Sequence, residues 1–76
     1  MQVEIATPEG VLFSGEADSV TAPGIIGEMG ILNDHAPLIA GLLEGKVRVN
    51  QKEIETKAGF LKVSDNRIII ITEGAK

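Results

Sequence analysis

Apolar and polar residues alternate along most of this chain. Val3 and Ile5 are interleaved with Gln2 and Glu4, and Val47 and Val49 with Lys46, Arg48 and Asn50. A period of two is the mark of a strand, because successive side chains of an extended backbone point to opposite faces. Further short runs cover Val11 to Phe13, Ser19 to Ala22, Leu38 to Leu43, Glu53 to Lys57, Phe60 to Ser64 and Arg67 to Thr72. Turn residues separate them. Thr7-Pro8-Glu9-Gly10 reads as a tight turn, Pro23-Gly24 and Glu44-Gly45 as stops, and Ala58-Gly59 as a break. Asn50-Gln51-Lys52 and Asp65-Asn66 are polar turns, the second predicting a hairpin. An i, i+3, i+4, i+7 pattern is nowhere sustained, and only His35 to Leu43 is equivocal. Little or no helix is expected.

Many short strands joined by tight turns in 76 residues predict one all-β domain over residues 1–76. The residues alone point to an antiparallel β-sandwich or flattened barrel. Ile68 to Ile71 sharpen that picture. Ile68 and Ile70 must point to one side of their strand, Ile69 and Ile71 to the other. Either this strand is buried on both faces, or one face is an apolar patch that awaits a partner.

Composition narrows the chemistry. Seven basic and 11 acidic residues give a net charge of −4, which disfavours a phosphate-tracking or anionic-membrane surface. Without tyrosine or tryptophan there is no stacking platform for bases, and Phe13 and Phe60 are read as core. The absence of cysteine removes disulfides and thiolate metal sites. The amino-terminal residues carry no signal pattern, and the apolar runs are far too short for a membrane helix. A soluble chain that is not exported is expected. His35 beside Asp34 invites an acid-base reading with Ser14, Ser19 or Ser64, yet no nucleophile elbow is present, and no catalytic residue, metal or cofactor is expected. The series Gly24-Ile25-Ile26-Gly27-Glu28-Met29-Gly30 matches neither a Walker loop nor a dinucleotide fingerprint, so its glycines are read as turn formers or sites of close strand approach. Glu28 within it is expected at a loop tip or facing another chain.

Gly27-Glu28-Met29-Gly30-Ile31-Leu32-Asn33-Asp34-His35-Ala36-Pro37-Leu38 resembles the signature of the epsilon subunit of F-type ATP synthases, in its amino-terminal domain. Thr7 to Ala17, Ala58 to Val63 and Arg67 to Thr72 resemble that family's opening and closing strands, so the likeness spans roughly residues 2 to 73. It implies a ten-stranded antiparallel β-sandwich. It also implies a non-catalytic rotor subunit that packs on the gamma subunit and rests on the proteolipid ring, coupling proton flow to ATP synthesis made on other chains. By position, Glu28, Met29 and Gly30 would meet the ring, and His35, Ala36, Pro37 and Leu38 would meet gamma. Ile69 or Ile71 would add an apolar contact to gamma from one strand face. The location implied is peripheral, on the cytoplasmic side of a bacterial membrane or its organellar equivalent, without bilayer insertion, and the isolated domain is expected to be a monomer.

Two departures from the family pattern stand out. Asn33 replaces a frequent proline, which predicts a less rigid contact loop. The chain ends at Lys76, where many members continue into a helical hairpin that can inhibit ATP hydrolysis, so that regulation is not carried over. Two rivals belong to other classes. Ile54-Glu55-Thr56-Lys57-Ala58 resembles the lysine-bearing hairpin of lipoyl carrier domains, but Lys57 lies far from mid-chain and lacks the usual preceding aspartate. A free-standing β-sandwich that binds an extended peptide fits the same strand pattern.

Overall fold

The computed structural model describes residues 1–75, and all of its regular elements are strands. They are β1 (Gln2–Thr7), β2 (Gly10–Glu16), β3 (Ser19–Gly24), β4 (Gly27–Leu32), β5 (Leu38–Leu42), β6 (Gly45–Val49), β7 (Lys52–Thr56), β8 (Gly59–Ser64) and β9 (Arg67–Thr72). The all-β fold is as expected. Nine strands are present among the described residues, where the family likeness implied ten. The stretch His35 to Leu43, equivocal in sequence, supplies β5.

The sheet runs β2-β1-β9-β8-β5-β3-β6-β7, with β4 paired to β3 alone. It turns a corner at β3. One edge of β3 holds β4, while the other meets β6 through Val20 and Thr21 and β5 through Gly24. The corner gives two layers, β2-β1-β9-β8-β5 and β4-β3-β6-β7, whose inner residues share one core. Val3, Ile5, Leu61, Ile68 and Ile70 come from the first layer, and Val20, Ile31, Val47 and Val49 from the second. Each side chain of this size contributes about 1.5–3 kcal/mol on full burial.

Every strand pair is antiparallel except one. β9 lies parallel to β1, with Val3 beside Ile68 and Ile5 beside Ile70. A parallel pair needs a long crossover, and here the crossover is most of the chain. Thus β9 enters last, between β1 and β8, and joins the first strand to the remainder.

Two local readings are corrected. Pro23-Gly24 does not stop β3, which continues through Gly24. Pro23 lies opposite Glu28 on the β4 side, and its other edge falls where β3 changes partner from β6 to β5, so its missing N–H interrupts no ladder bond. The glycine-rich centre is likewise more than a turn. Gly27 to Leu32 form β4, with Ile31 buried and Met29 packed against the core at alternate positions. The Asp65-Asn66 hairpin is as expected, both residues having left-handed φ of 52° and 57°.

The loop before β5 is tied at two points. Asn33 Oδ1 accepts a 2.8 Å bond from the Met1 nitrogen, and the Asp34 N–H donates 2.8 Å to Asn66 Oδ1. The left-handed residue is Asp34, with φ 62°, and not Asn33. Asn33 therefore supplies a tether that a proline at this position could not form.

Buried polar groups close the carboxy-terminal end. The Thr72 hydroxyl donates to Lys57 O at 2.8 Å and stands 3.4 Å from the Gly74 N–H, linking the β7–β8 connection to the segment after β9. Thr56 Oγ1, equally buried, has no partner among the described residues. Thr72→Val is expected to lower stability by about 1–2 kcal/mol, and Thr56→Val to be neutral or slightly stabilising, because only the first breaks a bond. Urea unfolding of the two variants checks this, and equal losses would refute it. Gly59 is a steric constraint of another kind. A Cβ there would collide with Ile71 O and lie 2.8 Å from Thr72 Cα, both backbone atoms. Gly59→Ala is expected to cost about 3 kcal/mol. Gly30→Ala, with open space around its Cβ, is expected to cost less than about 0.5 kcal/mol in the same assay.

Candidate functional site

The two outer faces differ in chemistry. On the β4-β3-β6-β7 layer, Gly30, Thr21, Arg48 and Glu53 line up across the strands, with Lys46 and Glu55 beside them. Arg48 Nη2 donates to Glu53 Oε2 at 2.6 Å, and Lys46 Nζ lies 4.0 Å from Glu53 Oε1. That bond from Arg48, helped by the charge of Lys46, holds the Glu53 carboxyl below the usual glutamate range. This face is a solvated, charged one.

The outer face of β2-β1-β9-β8-β5 changes character along the strands. At one end the register places Gln2 between Glu16 and Arg67. In the middle, Ser14, Glu4, Ile69, Lys62 and Ile39 form a mixed row. At the other end Val11, Ala6, Ile71, Phe60 and Gly41 make an apolar row. Ile71 is 59% exposed and Phe60 66% exposed, whereas Ile68 and Ile70 on the same strand as Ile71 are 0% exposed. The isoleucine run therefore has one dry face and one apolar face in solvent. Phe60, expected in the core, is corrected to the surface, because Leu61 holds the inward position of β8 and Phe60 must point the other way. Phe13 is partly buried against the core, as expected, with Lys52 Nζ 5.6 Å from its ring centroid.

The apolar end is shaped. A groove of about 660 Å³ is bordered by Ala6, Pro8, Leu42, Phe60 and Ile71, with Glu73 the only ionisable side chain on it among the described residues. A second groove of about 370 Å³ is bordered by Ile26, Met29, Leu38, Ile39 and Gly41. Ile25 belongs to both. It occupies the turn between β3 and β4 with Ile26, and both side chains are exposed.

The sequence-predicted contacts fall at several places around this surface. Ile69 and Ile71 share the outer face of β9. His35, Ala36 and Pro37 are exposed in the loop before β5, near the β8–β9 turn to which Asp34 is bonded, and His35 Nδ1 lies 2.8 Å from Ala36 O. Leu38 opens β5 and packs partly against the core. Glu28, Met29 and Gly30 do not act as one loop tip. They lie in β4, with Glu28 and Gly30 exposed and Met29 turned inward by the strand alternation. The tip itself is Ile25-Ile26. Sequence reasoning read Phe60 as core and gave no role of their own to Ile25, Ile26 and Ile39. The available signal was the presence of apolar residues on both phases of strands near 39, 60 and 71.

Lys57 follows β7 directly and is exposed, an ordinary strand-end lysine. Its N–H donates to Gly74 O at 3.0 Å, and Lys57-Ala58 connects β7 to β8, strands that do not pair with each other. A carrier hairpin would place the lysine at the tip of two paired strands, so that reading is overturned. Among the described residues no group of three or more His, Asp or Glu is placed to hold a metal, and no helix is long and apolar enough to cross a membrane.

All of residues 1–76 match the family model described as ATP synthase, Delta/Epsilon chain, beta-sandwich domain. The chain belongs to that family. It is 42% identical to the ATP synthase epsilon chain of Desulforamulus reducens over 79 aligned residues, covering 99% of this chain and 60% of that protein. It is also 42% identical to the epsilon chain of Chlorobium limicola, covering 95% of this chain and 88% of that protein. The chain thus spans about three-fifths of the length of the first relative. Among solved structures, a chain of the Euglena gracilis mitochondrial ATP synthase has the same fold, with a TM-score of 0.85 at 23% identity over 97% of this chain and 51% of that one. A chain from the central stalk and c-ring of the Tetrahymena thermophila enzyme superposes with a TM-score of 0.80 at 20% identity, over 95% of this chain and 62% of that one.

The charged face yields a pH prediction. The folded pKa of Glu53 is depressed, so the stability linked to it is present above the ordinary glutamate pKa and is lost as pH falls through the lower, folded value. In a carboxyl-carbon NMR titration Glu53 is expected to titrate below the ordinary glutamate range, and Arg48→Gln is expected to bring it back up. An unchanged midpoint in the variant would exclude Arg48 as the cause.

Proposed function

We propose that this chain is the β-sandwich domain of an epsilon-type rotor subunit of a proton-translocating F-type ATP synthase. It performs no catalysis of its own. It docks on the gamma subunit and on the proteolipid ring, and helps to couple proton flow to ATP synthesis on other chains of the complex. The site of action is the surface of the membrane that hosts the enzyme, on the cytoplasmic side in a bacterium or its organellar equivalent.

The observation that carries this reading is the apolar end of the β2-β1-β9-β8-β5 face, in a chain that belongs to a family of ATP synthase subunits. Ile71, Phe60 and Ile25 stand together in solvent, and a contiguous exposed apolar patch of this kind favours a protein interface. Gamma takes this face in the proposal, with Ile69 and Ile71 as contacts and the loop of His35, Ala36 and Pro37, continuing into Leu38, at its polar end. A strand face suits a torque-bearing contact, because its side chains are held by a hydrogen-bonded ladder and not by a mobile loop. The ring takes the exposed side of β4. Glu28 and Gly30 on the exposed side of β4 meet its polar loops, and Met29 supports them from within.

A backbone-amide NMR titration with purified gamma subunit tests the reading. Saturable shifts are expected at Phe60, Ile69 to Thr72 and Ile25, extending to His35 to Leu38. Ile71→Asp is expected to keep the folded spectrum, because Ile71 lies outside the core, and to weaken binding by about tenfold or more. Absence of shifts, or shifts centred on the β6–β7 face, would rule out this docking surface.

A further inference from the structure

The bonds made by β3 fix which way the backbone groups of β4 point. Pro23 O accepts from the Leu43 N–H at 2.8 Å and Ser19 O accepts from the Asn50 N–H at 2.9 Å, so both residues turn their backbone away from β4. Their partners in the unbroken β3–β4 register are Glu28 and Leu32, with Gly30 opposite Thr21 between them. In an antiparallel pair, residues that exchange no bonds across the ladder aim their N–H and C=O to the outside. Glu28, Gly30 and Leu32 therefore present a row of donors and acceptors along the free edge of β4. That strand pairs with β3 alone, and no other backbone bond among the described residues takes the row.

Sheet edges are normally defended by charge, proline, a bulge or a covering segment. The two strands that end the sheet path follow this rule. In β2 the pairing slips opposite Ile5 and Ala6, leaving Leu12 as the extra residue of a bulge. In β7 the edge carries Lys52, Glu53 and Glu55, and Ala75 bridges to Thr56 at its end. By contrast β4 has no bulge and no proline, Glu28 is its only charge, and Leu32 is 65% exposed.

The strand that suits this row is β4 itself. In an antiparallel pair related by a two-fold axis at Gly30, Glu28 of one copy faces Leu32 of the other and Gly30 faces Gly30. All three outward residues then meet outward residues, and every facing pair exchanges both bonds. The faces agree as well. Glu28, Gly30 and Leu32 lie on the exposed side, and Met29 meets Ile31 of the second copy on the inner side, next to the groove of about 370 Å³ that Met29 borders with Leu38. This register also keeps the two Glu28 carboxylates from facing each other.

We propose that the free edge of β4 is a self-association site, through which a second copy of this chain pairs β4 to β4, antiparallel about Gly30. It concerns the free chain and stands apart from the gamma-docking reading, which uses β9 and its neighbours. One strand pair is a small interface and two chains of net charge −4 repel, so Kd is on the order of 100 µM. The monomer implied by the family likeness is the state of the dilute chain.

Sedimentation equilibrium and NMR-detected hydrogen exchange between about 50 µM and 1 mM test this. Over that range the N–H groups of Glu28, Gly30 and Leu32 are expected to slow together by about threefold, while those of Met29 and Ile31, already bonded to β3, stay unchanged. Gly30→Pro removes an outward donor that β3 does not use and is expected to leave only monomer. Leu32→Glu sets like charges opposite each other and is expected to raise Kd about fivefold, and Leu32→Lys, which sets a lysine opposite Glu28, to lower it by a similar factor. Adding Glu28→Lys to Leu32→Lys is expected to reverse that gain although the net charge falls further, which separates facing charges from overall repulsion. A chain that stays monomeric at about 1 mM, or a double variant that pairs more tightly still, would overturn the proposal. So would association that Ile71→Asp abolishes, which assigns the second copy to the outer face of β9. If Gly30→Pro does not fold, the Leu32 series decides alone.

Discussion

The structure depends on the placement of β9. This strand lies between β1, to which it is parallel, and β8, to which it is antiparallel, so it joins the first and last parts of the chain in one ladder. Its inward residues Ile68 and Ile70 are wholly buried against Val3, Ile5, Leu61 and Val63, which makes β9 the apolar centre of its layer. The close approach that this needs is visible at Gly59, where the backbone of Ile71 and Thr72 leaves no room for a side chain. Thr72 then fixes the end of the strand to the connection between β7 and β8.

A consequence follows for the surface. A strand that buries Ile68 and Ile70 must present Ile69 and Ile71 to the other side, and nothing in the described chain covers them. The neighbours reinforce the apolar character at one end only, through Phe60, Ala6 and Val11, while Lys62 and Glu4 flank Ile69. The opposite layer carries its charges outward, with Arg48 and Lys46 both paired to Glu53. The domain therefore has one solvated face and one sticky end. An exposed, shaped apolar end of this kind is the chemistry of a surface that meets a partner.

The family likeness and the physical reading meet on this point from different directions. The likeness rests on the central segment and the flanking strands, and it named the loop near His35 and the β4 residues as contacts. The geometry shows the Ile25-Ile26 turn and Phe60 as exposed apolar surface, and separates Met29 from Glu28 and Gly30 by strand alternation. The hydrogen bonds from Met1 to Asn33 and from Asp34 to Asn66 show how the intervening loop is carried on two distant parts of the chain.

Sequence by itself was enough for the strand periods, the Asp65-Asn66 hairpin, the absence of sustained helical pattern and the two alternative fates of the isoleucine run, because these are local consequences of side-chain alternation and turn chemistry. It was also enough to bring out the family. Tertiary structure alone decided which fate the run met, since burial depends on which strands stack and not on the strand itself. It decided that Pro23 continues a strand, because the exchange of β6 for β5 leaves its nitrogen without a required partner. It decided that Phe60 faces solvent, because this is set by contacts across the sheet between residues far apart in sequence, and no local pattern encodes a distance of that kind.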